Sequence, residues 1–144
     1  MKKLVKWVTD NVLYIAWGQA LVATLGSLYF SEIRKFTPCV LCWYQRIGMY
    51  PLVAILAMGI IHKDKRVYRY VLPLSLIGWV IALYHNLIYY HIVNEQLIPC
   101  TSGVSCTTRF NVWWGWLSIP LLSLTAYTVI NLCMLIFYKT RIKK

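Results

Sequence analysis

The chain has 144 residues, of which 60% are hydrophobic and only 13% charged, with a mean hydropathy of +0.59. A water-soluble domain of that size needs more polar surface than this composition supplies, so the chain reads as an integral membrane protein. Its 15 basic against 4 acidic side chains leave a net charge of +11, but they cluster between apolar runs and do not form the aromatic-interleaved patch of a nucleic-acid reader, which argues against nucleic acid as a partner.

The opening Met1-Lys2-Lys3, with Lys6, resembles the charged head of a signal peptide. The apolar run behind it is longer than a signal sequence needs and offers no small-x-small cleavage site, so a retained helix is expected. That first span covers residues 11–30, close to the roughly 20 residues that cross a bilayer core. Its lone polar residue, Gln19, reads as a helix-to-helix hydrogen bond.

Ser31 to Thr37 is a short polar connection, and the second span covers residues 39–61. Pro38 suits a first helical position, having no N–H to waste and φ already set. Within this span, Pro51 is expected to free a carbonyl that a neighbour must satisfy. His62 to Arg69 is a basic turn, and the third span covers residues 70–92, with His85 and Asn86 inside it and His91 at its far end.

The longest loop, residues 93–111, holds Cys100 and Cys106, and a fourth span covers residues 113–138, opened by the interfacial ring cluster Trp113, Trp114 and Trp116. The predicted fold is all-α, a single four-span membrane domain built as a four-helix bundle.

Eleven of the 15 basic residues fall in Lys2 to Lys6, Lys63 to Arg69 and Lys139 to Lys144. The two other connections hold only Arg34, Lys35 and Arg109. By the positive-inside rule the first group is cytoplasmic, and with it both termini of a four-span chain. Cys39, Cys42, Cys100 and Cys106 then lie at the extracytoplasmic face, where disulfides persist. Cys133 sits alone deep in the fourth span and reads as a small packing residue.

At about 100° per residue, Cys39, Cys42 and Arg46 share one helix face. Cys39 would meet unpaired backbone N–H groups at the positive end of the helix dipole, and Arg46 lies a turn below Cys42; both favour thiolate. Taken alone, the C-x2-C motif also fits a structural disulfide or half a zinc site. The second spacing, Cys100 to Cys106, is looser than a zinc knuckle and argues against a metal. Two pairs at one face suit thiol–disulfide relay, the thiolate of one attacking the disulfide of the other.

An arginine within a span marks a site by default, though one this near the interface can also snorkel outward to headgroups. Beside a thiolate, Arg46 can donate to a quinone carbonyl and stabilise the charge that develops as the ring takes electrons. His85 and His91 are further candidates for that cofactor or for proton relay, set against the commoner packing or interfacial role.

The sequence Cys39-Val-Leu-Cys42-Trp-Tyr-Gln-Arg46 opening the second of four spans, the outer pair Cys100 and Cys106, and Gly115-Trp-Leu-Ser-Ile-Pro120 resemble the disulfide bond formation protein B family (DsbB), in its short BdbC-type branch. The resemblance covers essentially the whole chain. It implies a multi-pass protein of the bacterial plasma membrane that reoxidises an extracytoplasmic thioredoxin-like thiol oxidase (DsbA- or BdbD-like) and passes the electrons to quinone, with menaquinone the better match, supporting disulfide formation in exported proteins.

Carried over by position, Cys39 and Cys42 are the pair next to quinone, Arg46 is the quinone-site arginine, and Cys100 and Cys106 meet the partner, with Cys106 able to bridge transiently to Cys39. The six-residue step from Cys100 to Cys106 departs from the wider spacing of the best-known members and favours a local disulfide at rest. The competing readings are a non-catalytic scaffold whose outer disulfides stiffen loops, and a relative of vitamin K epoxide reductase.

Overall fold

The computed structural model describes residues 2–93, 111–113 and 117–142. Cys100, Cys106 and Arg109 lie outside the described residues. Helix α1 spans Lys2–Leu28 and passes into a π-helical turn, Tyr29–Ile33; α2 spans Val40–Ile61, α3 Tyr68–Tyr89 and α4 Ile119–Ile142. All four contain a stretch long and apolar enough to cross a membrane, over Asn11–Ile33, Val40–Ile61, Tyr68–Tyr89 and Ile119–Thr140.

Each helix packs chiefly on two others: α2 on α1 and α3, and α4 on α3 and α1. The connections between α1 and α2 and between α2 and α3 are short, and short links favour antiparallel neighbours, so the chain closes into a four-helix bundle. Its all-α membrane class is as the sequence indicates. Leucines, isoleucines and valines such as Val22, Ile47, Ile61, Ile77, Val80 and Leu132 face outward, which suits lipid rather than water as the surrounding solvent.

Between apolar helices in lipid, cohesion comes from close packing of small residues and from buried hydrogen bonds. Ala16, Ala20, Ala82 and Ala126 are fully buried. Tyr127 is buried to 0% exposure because two glycines make room for its ring. A Cβ on Gly48 would sit 2.9 Å from the Tyr127 hydroxyl, and one on Gly78 would run into the ring itself. That hydroxyl donates to the Gln45 carbonyl of α2 at 2.7 Å. Ser75 Oγ donates to Asn131 Oδ1 at 2.6 Å, and Trp79 Nε1 to Thr128 Oγ1 at 2.9 Å, tying α3 to α4.

The helix ends depart from the apolar runs in instructive ways. Pro38 is not the first helical residue; Cys39 is the N-cap, with extended φ −69° and ψ 168°, and the helix starts at Val40. The third helix ends at Tyr89, and His91 takes a left-handed closing position with φ 57°. There the His91 N–H donates to Ile88 O and the Ile92 N–H to Leu87 O, both at 2.9 Å, a helix-ending motif that normally selects glycine.

α4 opens at Ile119, later than Trp113. Asn111–Trp113 instead pairs antiparallel with Leu117–Ser118, Asn111 opposite Ser118 and Trp113 opposite Leu117. Ser118 then caps α4, its Oγ accepting from the Leu121 N–H at 3.4 Å.

Candidate active site

The site is built at the end of the bundle where α2 begins. As N-cap, Cys39 turns its sulfur back over the first turn, where it accepts from the Cys42 backbone N–H at 3.4 Å. Helical geometry brings Cys42 to the same side, and the two sulfurs lie 2.9 Å apart as free thiols. Cys39 is 6% exposed. From α3, His85 reaches across with Nε2 at 3.7 Å from Cys39 Sγ.

Cys39 precedes the span, and its thiol is held well below the ordinary thiol range. The hydrogen bond from the Cys42 side chain is the main cause, opposed by burial and reinforced by His85.

Cys39 Sγ, Cys42 Sγ and a ring nitrogen of His85 lie within 4.8 Å of one another, a set that could hold a metal ion. Two thiolates on a tetrahedral zinc, however, stand roughly 3.8 Å apart given Zn–S bonds of about 2.3 Å. The observed 2.9 Å is closer and suits a pair that opens and closes a disulfide.

The polar surroundings are ordered. Gln45, one turn beyond Cys42 and 5% exposed, has its Nε2 3.2 Å from His85 Nδ1. Ser123 of α4 donates from Oγ to Gln45 Oε1 at 2.8 Å. Arg46 reaches toward α1, where its guanidinium donates to the Ser27 carbonyl at 2.9 Å and lies over the Trp43 ring at 5.7 Å. The π-helical turn that follows Ser27 widens the backbone ladder from four-residue to five-residue steps, as in the Arg34 N–H bond to Tyr29 O. Such turns recur at functional sites because they re-aim backbone groups.

Cys39, Cys42, Gln45, Arg46 and His85 all line one cavity of about 300 Å³ between α1, α2, α3 and α4. Its other walls are mostly apolar, including Val22, Ala23, Phe30, Phe36 and Met49. Three polar residues of α1 also line it, Gln19, Thr24 and Ser27. The Thr24 hydroxyl is buried and has no hydrogen-bond partner among the described residues.

Thus the structure brings Cys39, Cys42, Arg46 and His85 together, while Cys100 and Cys106 lie outside the described residues. His91 does not join them; its left-handed backbone leaves it exposed beyond the end of α3. His85, for which a packing or interfacial role is the commoner one, lies with Nε2 3.7 Å from Cys39 Sγ. Asn86 does serve packing, donating from Nδ2 to Pro120 O at 2.9 Å, and Cys133 lies in the apolar core. Sequence reasoning did not single out Gln45, Ser123, Thr24 or the Ser27 carbonyl. Of these only Gln45 left a signal, a neutral polar residue in step with the cysteine face.

The family model described as disulfide bond formation protein DsbB matches residues 10–137. The chain is 50% identical to "Disulfide bond formation protein C" of Bacillus subtilis (strain 168), over 85% of this chain and 88% of that protein. It is 45% identical to "Probable disulfide formation protein C 1" of Bacillus anthracis, over 92% and 95% of the two chains. To "Probable disulfide formation protein" of Deinococcus radiodurans it is 46% identical, over 84% of each. No solved structure matches it significantly. A thiol pair at the mouth of a helical membrane bundle and these likenesses lead to one conclusion: the chain belongs to the DsbB family of membrane disulfide-formation oxidoreductases, in its BdbC-type branch.

Proposed function

We propose that the chain reoxidises an extracytoplasmic thioredoxin-like thiol oxidase and delivers the electrons to a membrane quinone, menaquinone in preference to ubiquinone. The observation that carries this reading is the apolar cavity that has the Cys39–Cys42 pair and Arg46 in its walls. A lipid-soluble ring fits those walls in size and polarity, since ligand pockets start at roughly 300 Å³ and use a few polar groups for orientation.

The partner's thiolate attacks the Cys100–Cys106 disulfide and its second cysteine resolves the mixed disulfide. The reduced loop pair then exchanges with Cys39–Cys42. Reoxidation of two thiols releases two electrons and two protons, and a quinone accepts both. A strongly oxidising partner sits near about −120 mV, so the terminal acceptor must be more oxidising still.

Arg46 has five N–H donors, of which the Ser27 carbonyl takes one; the guanidinium can orient a ring carbonyl and stabilise its developing charge. The Thr24 hydroxyl supplies a second donor in the same cavity. Cys42 is the nucleophile facing the cavity, and Cys39, held as thiolate, closes the disulfide onto it. The basic segments at Lys2 to Lys6, Lys63 to Arg69 and Lys139 to Lys144 support an extracytoplasmic position for these sulfurs in the bacterial plasma membrane.

The test is quinone reduction by the purified chain, given a reduced thioredoxin-like donor and a soluble menaquinone analogue. Cys42→Ser should abolish turnover. Arg46→Ala should lower it by about tenfold or more, the scale of losing one oriented charge donor. Unchanged rates in both variants would remove the quinone reading and leave the scaffold.

A further inference from the structure

The contacts of His85 contain more than its proximity to sulfur. Its ring is 2% exposed and touches a polar group at each nitrogen: Gln45 Nε2 at 3.2 Å from Nδ1, and Cys39 Sγ at 3.7 Å from Nε2. A neutral imidazole carries one proton, and which nitrogen holds it follows from the partner at the other.

That partner is fixed from outside the ring. The Ser123 hydroxyl has two acceptors in reach, Gln45 Oε1 at 2.8 Å and its own helix's Pro120 O at 3.5 Å. Donation at 2.8 Å is a full hydrogen bond, and 3.5 Å is beyond good geometry. With Oε1 claimed by Ser123, the Gln45 amide presents its NH2 to His85. Nδ1 must then be the lone-pair nitrogen and the proton must sit on Nε2, where it points at Cys39. The opposite arrangement needs the amide turned over, the Ser123 hydroxyl stretched to Pro120, and Nε2 offering a lone pair to a sulfur already accepting from Cys42 N–H.

We propose that Gln45, pinned by Ser123, is a positioning residue that holds His85 in the Nε2–H tautomer, so that His85 donates to the Cys39 sulfur. Three elements meet in this chain of bonds: α4 supplies Ser123, α2 supplies Gln45 and Cys39, and α3 supplies His85. Donation from His85 favours the Cys39 thiolate in the exchange and reoxidation steps. This bearing on turnover rests on the reading that Cys39 exchanges electrons.

Full-length protein labelled with 15N-histidine, reduced and free of quinone in detergent micelles, tests the assignment by NMR. Comparison with His85→Asn identifies the His85 signals among the three histidines. The expected spectrum shows an unprotonated Nδ1 and a protonated Nε2. Gln45→Leu should give a mixture of tautomers, and the pH midpoint of Cys39 alkylation by iodoacetamide, read by mass spectrometry of its peptide, should rise by roughly half a unit to one unit, the worth of roughly one hydrogen bond. Gln45→Glu keeps the volume and offers only acceptors, so it should draw a proton onto Nδ1.

Ser123→Ala should also mix the tautomers, and Ser123→Thr, which keeps the hydroxyl, should restore the single form. A wild-type His85 protonated on Nδ1, or a Gln45→Glu variant whose Nδ1 stays bare, would overturn the proposal. Equal spectra for Ser123→Ala and wild type would overturn the pinning by Ser123. None of these readouts involves quinone, so failure of quinone reduction and failure of the tautomer assignment are distinguishable.

Discussion

At the residue scale the geometry of the candidate site follows from where α2 begins. Because Cys39 is the cap and not an interior residue, its sulfur collects the Cys42 N–H, the Cys42 thiol and His85. Its ionisation lies below the ordinary thiol range, the Cys42 side chain being the main cause. A lowered value means the thiolate is populated at neutral pH and is lost only as pH falls through that value. Cys39 in the reduced protein should therefore alkylate at a rate that changes little between pH 8 and about 6, whereas a thiol at the ordinary value near 8.5 would slow steeply over that range. Cys42→Ala should move the titration upward, and peptide-level mass spectrometry reads both. The C-x2-C motif and Arg46 were legible in the chain because their spacing alone sets a common face. Gln45 and Ser123 were not, since their meaning depends on three helices converging on His85.

At the element scale, the spans were readable as apolar lengths, and the ends were not. The onset of α4 at Ile119 depends on pairing between Asn111–Trp113 and Leu117–Ser118 and on the Ser118 cap, so a window over Trp113 to Trp116 reads too early. Helix docking depends on single small residues. Gly78→Ala would drive a methyl into the Tyr127 ring, and overpacking of this kind costs about 1–3 kcal/mol. Thermal unfolding in detergent should show a lowered midpoint. Tyr127→Phe, which removes only the bond to the Gln45 carbonyl, should cost about 1 kcal/mol. If Gly78→Ala matched wild type in that assay, the close seating of Tyr127 would be wrong.

For the whole molecule, the bundle sets the order of the helices and the charge pattern predicts their direction across the membrane. The composition made the membrane class plain, and an even number of spans puts both ends of the chain on one side. The positive-inside reading predicts that a cysteine placed at Asp64, in a chain whose native cysteines are serine, reacts with an impermeant maleimide only after cells are opened. One placed at Glu32, in the π-helical turn that ends the first span, should react in intact cells. The reverse pattern would invert the topology and remove the extracytoplasmic thiol pathway.

The π-helical turn at Tyr29–Ile33 fits one more residue into its loop than an α-helix would use. It therefore acts as a phase spacer, setting the rotation at which the chain leaves α1 and the angle at which Ser27 offers its carbonyl to Arg46. Deleting one residue there would let the helix rewind, swing the exit by about 100° and withdraw that acceptor. The cavity would lose its guanidinium from a change that touches neither sulfur.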